Sequence, residues 1–494
     1  MSKLLLGIDI GTSSSKGVLV GPEGEILARA EQAHELALPR PGWAEHDAET
    51  VWWADFQALC ARLLPQATGS LAAICVSGIG PCLLAADEQG NPLRPAILYG
   101  IDTRAAREIE EQSLRYGAEQ VLRRCGSPLT SQAIGPKLAW LMRNEPEVWK
   151  QTRMFLMASS FLVRRLTGEY VLDHHSASQC VPLYDLKEQH WIAEWAEEIA
   201  PGLPLPRLLW PAEVAGVVTT EAAATTGLAA GTPVVAGTID AWSEALSVGV
   251  REPGDLMLMY GTTMFMVNVQ REALTQPTLW STAGILPGTY TLAAGMATSG
   301  ALTGWFRHIV GDLPYETLLR EAAEVAPGSA GLIILPYFAG ERTPLFDPSA
   351  RGVICGLTLR HGRGHLYRAL LEATAYGVRH ILEAMDEAGG ERKRLVAVGG
   401  GTRGGLWAQI VSDVTGEPQE LPRETIGACY GDAMLAALAS QIITPSTRWN
   451  PITSIVEPRP DTANYNTLYE IYRQLYPATR SQAHQLADFQ ERLS

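Results

Sequence analysis

The amino-acid sequence predicts an α/β protein made of two domains of like topology. At 494 residues the chain is too long for one ordinary hydrophobic core. Short apolar segments such as LAAICVSGIG and PVVAGTID alternate with helical segments such as AETVWWADFQALCARLL, which is typical of α/β layering. A strand, a short polar turn and a second strand occur over residues 4–20 and recur over 255–269. This internal similarity predicts two related domains that face a shared cleft.

The first hairpin places an aspartate at the end of an apolar strand. Asp9 belongs to the segment LLLGIDI, and the small residues Gly11, Thr12 and Ser13 follow it. A buried carboxylate is unfavourable unless a cation or hydrogen bonds compensate for it. The hydroxyl and N–H groups of the turn are a suitable lining for phosphate oxygens. The hairpin therefore predicts a site for a metal phosphate, although an aspartate that only caps the turn explains the same short pattern.

Two further glycine turns lie in the second half of the chain. Residues 261–263 (GTT) repeat the first turn, and residues 398–402 (VGGGT) end a strand before a helical segment. Consecutive glycines allow a ligand to approach the backbone, and a helix N-terminus favours anions. Glycine and proline near 243–254 predict a boundary there, so we expect domains over 1–245 and 246–494. The second domain is expected to end in a closing helix over 462–493.

Composition argues against several classes of partner. The net charge is −14 and Lys and Arg form no long run, so nucleic acid is not expected to bind. The apolar stretches are too short for a membrane span, and Asp9 interrupts the only apolar run that could serve as a signal peptide. The seven cysteines contain no C-x-x-C pair, which predicts reduced thiols and no metal site. We expect a cytoplasmic protein that binds neither nucleic acid nor membranes.

Eight motifs, in order along nearly the whole chain, resemble those of the FGGY carbohydrate kinases, within the actin and Hsp70-like ATPase class. They are GIDIGTSSSK at 7–16, PGWAEHDAETVWW at 41–53, GPKLAWLMRNEPEVW at 135–149, RRLTGEYVLD at 164–173, AGTIDAWSEALSVGV at 236–250, YGTTMF at 260–265, RGVICGLTLRHGRGHLYRALLEA at 351–373 and GGGTRGGLWAQIVSDVTG at 399–416. Each motif alone is weak, whereas eight in order are specific. The resemblance implies two ribonuclease-H-like, actin-like ATPase domains flanking a catalytic cleft.

The resemblance also implies transfer of the ATP γ-phosphoryl group to a hydroxyl of a small sugar, with Mg²⁺ as the metal. It makes Asp240 the general base, and it makes Asp9 and Asp240 the metal-binding residues, with Asp9 acting through water. Asp240 follows an apolar strand, and it also suits the N-cap of a helix that starts at Ala241; one carboxylate can do both. The nucleotide-binding residues implied by the family are Gly11, Thr12, Ser13, Lys16, Gly261, Thr262, Thr263, Gly300, Gly304, Gly400, Gly401 and Thr402.

Two segments depart from the family pattern for the sugar pocket. Xylulokinase-like members have Gln-Met-His-Gly where this chain has SGIGPC at 77–82, and Trp-Asn-Asp-x-Arg where it has YGIDTR at 99–104. The implied acceptor is a ketopentose such as xylulose, but a pocket that loses polar groups rejects its usual ligand. Ribulose, erythritol, gluconate and glycerol therefore remain alternatives. The predicted substrate residues are Gly80, Pro81, Cys82, Tyr99, Asp102, Arg104 and Asp240.

Two questions stay open at this level. Asp102 and Arg104 either bind substrate or form a structural ion pair. The chain is either an enzyme, possessing both a base and the FGGY helices, or a non-catalytic nucleotide-binding protein of the actin and Hsp70-like group; the base and the helices favour the enzyme. Because many relatives are dimers, a homodimer is compatible with the resemblance.

Overall fold

The computed structural model describes residues 3–460 and 463–492. It divides into two compact units. The first unit comprises the chain up to Glu252 together with Gln270–Thr291 and Ile426–Asn450, and the second comprises the remaining segments. The boundary predicted between residues 245 and 246 follows chain order and stays a prediction; the compact units differ from it because two later segments pack with the first unit.

The strands of the chain are short and alternate with helices, as the sequence predicts. They are β1 (Lys3–Ile10), β2 (Ser14–Val20), β3 (Ile26–Ala33), β4 (Glu45–His46), β5 (Ser70–Gly78), β6 (Leu84–Ala86), β7 (Ala96–Ile97), β8 (Met154–Leu156), β9 (Val171–Asp173), β10 (Tyr184–Asp185), β11 (His190–Trp191), β12 (Arg207–Leu209), β13 (Val214–Val217), β14 (Pro233–Val235), β15 (Thr238–Ile239), β16 (Asp255–Tyr260), β17 (Met264–Gln270), β18 (Trp280–Ala283), β19 (Tyr290–Gly295), β20 (Ile333–Leu335), β21 (Val353–Cys355), β22 (Arg394–Val398), β23 (Gln419–Pro422) and β24 (Ile452–Val456).

The α-helices range from single turns to long helices. They are α1 (Ala54–Leu63), α2 (Ala106–Tyr116), α3 (Ala118–Cys125), α4 (Ile134–Asn144), α5 (Pro146–Gln151), α6 (Ala158–Thr167), α7 (His174–Ser178), α8 (Ala193–Ile199), α9 (Thr220–Thr226), α10 (Asp240–Ser247), α11 (Gly300–Ile309), α12 (Tyr315–Ala323), α13 (Arg363–Glu387), α14 (Leu406–Thr415), α15 (Ala428–Ala439) and α16 (Ala463–Glu491). Thr462 and Leu493, the predicted ends of the closing helix, lie outside the described residues.

The main sheet of the first unit has the strand order β13-β14-β5-β1-β2-β3, with β15 also pairing with β5. β1 and β2 form the predicted antiparallel hairpin, and β5 runs parallel to β1, β14 and β15. The central strands β1 and β5 are largely buried, and their buried side chains are almost all apolar, as expected where helices cover a sheet. α15 packs against β1, β5 and α10, so a helix from late in the chain covers the centre of this sheet.

The second unit contains the other hairpin and a sheet with the order β19-β17-β16-β22-β23-β24. β16 and β17 are antiparallel, and β16 and β22 are parallel neighbours. The long helix α13 packs against α12 and α14, and α16 packs against β20. The predicted α/β layering is therefore present in both units.

Candidate active site

Two predicted carboxylates lie at the same edge of the first sheet. Asp9 is the penultimate residue of β1 and stands opposite Ser77 of β5. Asp240 follows directly after β15, whose Thr238 is also opposite Ser77. Because β1, β5 and β15 are adjacent and parallel, their carboxyl ends meet, which is where α/β sheets bind ligands.

Asp240 is the first residue of α10, and Ile239 occupies the N-cap position. The backbone N–H of Ala241 donates to Oδ1 of Asp240 over 2.7 Å. Burial raises the pKa of Asp240 well above its usual range, and the charges of Asp9 and Glu244 raise it further. One carboxylate oxygen is thus bound to the start of the helix, which leaves the second oxygen for another partner.

Asp9 and Glu244 complete a cluster of acidic groups with raised pKa values. Burial raises the pKa of Asp9 to about 6, against the opposing effect of Lys16, its neighbour on β2. Burial and the charge of Asp9 raise the pKa of Glu244 to about 7. Within the described residues, no Lys, Arg or His nitrogen lies within 4 Å of Asp9, Asp240 or Glu244.

The donor set of this cluster fits magnesium. Carboxylate oxygens without a cationic partner are hard ligands, and Mg²⁺ usually takes only one or two carboxylates and keeps several waters. Among residues 3–460 and 463–492, no group of three or more His, Cys, Asp or Glu side chains is arranged to hold a metal by itself.

His34 contacts backbone carbonyls in the turn of the predicted phosphate-binding hairpin. The backbone N–H of His34 donates to the carbonyl of Ser13 over 3.0 Å, and its ring Nε2 lies 3.1 Å from the carbonyl oxygen of Gly11. Its Nδ1 lies 2.7 Å from a carboxylate oxygen of Asp55. By contrast, no described residue accepts a hydrogen bond from the backbone N–H groups of Thr12 and Ser13. The turn therefore leaves two amide donors for a ligand.

In the second unit the glycine loops 261–263 and 399–402 lie at one sheet edge, since they follow the parallel neighbours β16 and β22. The N–H of Gly300, at the start of α11, donates to the carbonyl of Gly261 over 3.0 Å. A Cβ at Gly300 would lie 2.5 Å from that oxygen, so only glycine permits the contact. Gly304 lies about one turn further along α11.

The loop 399–402 combines a tight turn with open backbone. Gly399 has a φ of +95°, and a Cβ there would lie 2.6 Å from the carbonyl oxygen of Tyr260. The hydroxyl of Thr402 donates to the carbonyl of Gly399 over 2.9 Å. A Cβ at Gly400, by contrast, would have no described atom within 4 Å. A ligand can therefore approach the backbone at Gly400, next to the 261–263 loop.

The predicted substrate residues divide into two groups, and the first lies close to the carboxylates. The hydroxyl of Tyr99 lies 3.1 Å from that of Thr12 in the phosphate hairpin. A Cβ at Gly80 would lie 2.8 Å from the side chain of Ile239, the residue before Asp240. Pro81, which follows Gly80, is buried.

The second group lies in the protein interior. Cys82 is fully buried, and its thiol donates to the carbonyl of Ile79 over 3.4 Å. Asp102 and Arg104 form an ion pair in which the guanidinium contacts both carboxylate oxygens and neither side chain is exposed. The Arg104 guanidinium also lies 3.8 Å from the ring centre of Trp43. Asp102 and Arg104 therefore form an ion pair, and their contact with substrate stays a prediction.

Sequence reasoning missed Asp432, a third carboxylate beside Asp9. Burial raises the pKa of Asp432 well above its usual range, and Asp9 raises it further. Its two oxygens accept hydrogen bonds from the hydroxyls of Ser77 and Ser243, each over 2.7 Å. A signal was present, because Asp432 is the only charged residue of the apolar helix ACYGDAMLAALA.

Comparisons with known proteins agree across the whole chain. The N-terminal domain of the FGGY family of carbohydrate kinases matches residues 4–247, and the C-terminal domain of that family matches 256–440. The chain is 30% identical to the xylulose kinase of Escherichia coli (strain K12), covering 96% of this chain and 98% of that protein. It is 28% identical to the gluconokinase of Bacillus subtilis (strain 168), covering 100% of this chain and 99% of that protein.

Solved structures show the same fold. The crystal structure of xylulose kinase from Rhodospirillum rubrum has a TM-score of 0.91 and 32% identity, covering 98% of this chain and 100% of that chain. The crystal structure of Plasmodium falciparum glycerol kinase with ADP has a TM-score of 0.88 and 22% identity, covering 97% of this chain and 98% of that chain. At that identity the similarity shows the fold alone. The predicted fold class is confirmed. Over the part of the chain that is described, no helix is both long enough and apolar enough to cross a membrane.

Proposed function

This chain belongs to the FGGY family of carbohydrate kinases, which makes it an ATP-dependent sugar phosphotransferase, and we propose that it phosphorylates a ketopentose such as xylulose with the help of Mg²⁺. The observation that carries the proposal is the placement of Asp9 and Asp240 at one sheet edge, beside a hairpin with two free amide donors. Xylulose is favoured as acceptor because xylulose kinases are among the relatives that match over nearly their whole length.

Asp240 is the general base of the proposed reaction. Oδ1 accepts the Ala241 amide, so Oδ2 is the oxygen that can take the proton of the attacking hydroxyl. A raised pKa gives this carboxylate a higher proton affinity than an exposed aspartate has, which favours proton abstraction once the group is ionised. Apart from this proton transfer, the main role of the protein in phosphoryl transfer is to position the donor and the acceptor.

The remaining predicted residues hold the phosphates and the metal. Mg²⁺, when bound, supplies positive charge that neutralises the phosphate oxygens. Asp9 and Asp240 would hold it, because their oxygens have no cationic partner among the described residues. The amides of residues 12–13 and the loops 261–263 and 399–402 would bind phosphate oxygens through their backbone N–H groups.

A second class of acceptor is favoured by the residues that replace the usual sugar contacts. Gly80 and Pro81 offer no side-chain hydrogen-bonding group, and the Cys82 thiol is bound to a backbone carbonyl. A site without those polar groups discriminates against the family's usual ligand. Ribulose, erythritol, gluconate and glycerol are therefore the alternative acceptors. The cytoplasmic location and the homodimer stay predictions.

The test is a measurement of ADP release from ATP and Mg²⁺ against xylulose, ribulose, erythritol, gluconate and glycerol. Wild-type turnover is expected with one acceptor class, and Asp240→Asn should lower kcat by about 10²- to 10⁴-fold because it removes the base. Asp488→Asn, an exposed aspartate on α16, is the matched control and should keep full activity. Turnover that no acceptor stimulates, or an Asp240→Asn variant as active as the control, would contradict the proposal.

A further inference from the structure

We propose that Asp432 is a positioning residue that holds the elements carrying Asp9 and Asp240 in register for phosphoryl transfer. This inference rests on the proposed function. Asp432 lies in the middle of α15 and is fully buried, so it cannot itself touch a sugar or a nucleotide. It acts through two serines, one on each of the elements that it connects.

Each oxygen of Asp432 binds a different element. Oδ2 accepts from the Ser77 hydroxyl and Oδ1 accepts from the Ser243 hydroxyl, each over 2.7 Å. Ser77 stands directly opposite Asp9 in the parallel pairing of β5 and β1, and its hydroxyl lies 3.4 Å from an Asp9 oxygen. Ser243 follows Asp240 by three residues, so the two lie on neighbouring positions of one helix face. One side chain therefore links the strand beside Asp9 to the first turn of α10.

Close backbone packing leaves α15 no room to shift. A Cβ at Gly7 of β1 would lie 2.0 Å from the carbonyl oxygen of Cys429, and a Cβ at Gly431 would lie 1.8 Å from that of Ser243. Two glycines therefore let α15 lie directly against β1 on one side and α10 on the other. Asp432 comes immediately after Gly431, so its position is fixed relative to both elements.

Stability alone does not explain a carboxylate at this place. Among the described residues, no Lys, Arg or His nitrogen lies within 4 Å of Asp432. A carboxylate buried without a cation is unfavourable, and an apolar side chain would suit the surrounding apolar helix better. What the carboxylate adds is a pair of directed hydrogen bonds, which an apolar residue cannot make.

The test compares kcat and KM among variants of the full-length protein with the best acceptor. Asp432→Ala should lower kcat by about 10- to 100-fold, because a small displacement of the base is enough for that loss, while KM for ATP stays within about twofold. Asp432→Asn should restore most of kcat, since an amide can accept from one serine and donate to the other. Met434→Ala, on the same helix, removes buried apolar volume without touching these bonds and should leave kcat unchanged.

A double-mutant cycle separates positioning from general loosening. If Asp432 acts through Ser77, then Ser77→Ala should add no further loss of kcat to Asp432→Ala. Should Asp432→Ala fail to fold, Ser77→Ala and Ser243→Ala decide the matter, and each is expected to lower kcat several-fold. Fully additive losses, or wild-type kcat in all of these variants, would overturn the inference. A wild type without acceptor-dependent turnover would overturn the proposed function, and this inference with it.

Discussion

Replacing Asp9 with asparagine is expected to stabilise the magnesium-free protein and to abolish its activity. Burial raises the pKa of Asp9 from its ordinary value of 3.8 to about 6. A shift of about two pKa units corresponds to about 3 kcal/mol of folding free energy. Asparagine has nearly the same shape and carries no charge, so the variant escapes this penalty.

The pH dependence of the gain follows from the sign of the shift. Because the folded state binds the Asp9 proton more tightly than the unfolded state, wild-type stability falls as pH rises from about 4 to about 6. Below about pH 3 the carboxyl is protonated in both states and the penalty is absent. The advantage of Asp9→Asn should therefore be about 3 kcal/mol at pH 8, roughly half of that at pH 5, and near zero below about pH 3.

The assay is urea unfolding in the presence of a chelator at pH 5 and pH 8, with Asp488→Asn as the exposed control. Adding Mg²⁺ should stabilise the wild type more than Asp9→Asn, because the variant lacks one proposed metal-binding carboxylate. An Asp9→Asn variant that is no more stable than the wild type at pH 8 would refute the argument. So would a gain of the same size at both pH values.

Two further predictions concern packing and the buried ion pair. Gly431→Ala should lower the free energy of unfolding by about 3 kcal/mol, because the added Cβ would clash with the carbonyl of Ser243. At Gly362 an added Cβ would have no described atom within 4 Å, so Gly362→Ala should change the free energy of unfolding by less than about 1 kcal/mol. Unfolding in urea measures both. Arg104→Lys should lower the free energy of unfolding by about 2–4 kcal/mol, because lysine cannot reproduce the several hydrogen bonds to Asp102 or the stacking on the Trp43 indole ring. Arg107→Lys, in an exposed ion pair, should lower it by less than about 0.5 kcal/mol. Thermal unfolding measures both. Equal losses for either matched pair would contradict these assignments.

The parts of the site that sequence predicts are those encoded locally. The hairpin at 4–20 and its counterpart at 255–269 are recognisable because apolar strands flank a short turn of glycine and hydroxyl residues. The same local pattern places Asp9 at the end of a strand, and the apolar strand before Asp240 predicts its position at a sheet edge. Sheet order then brings the two carboxylates together, although they are far apart in the chain.

The parts that sequence misses depend on distant contacts. Asp432 and Ser77 are 355 residues apart, and no short pattern predicts that their side chains meet. Asp102 and Arg104 are close in sequence, but only the fold shows that Trp43 lies against Arg104 and removes the pair from solvent. A charged residue in an apolar helix signals a buried polar contact without naming its partner.

The membership of Ile426–Asn450 in the first unit has a consequence for how the protein is made. The segment 292–425 of the second unit is, in chain order, inserted between two segments of the first unit, 270–291 and 426–450. A nascent chain released only as far as Glu252 already has β1 and β5 but lacks α15, the helix that covers them. These apolar strands therefore remain without α15 until the chain reaches Ala439, nearly 190 residues later, which takes roughly ten to forty seconds at ribosomal speed. We therefore expect aggregation to compete with completion of the first unit during this interval.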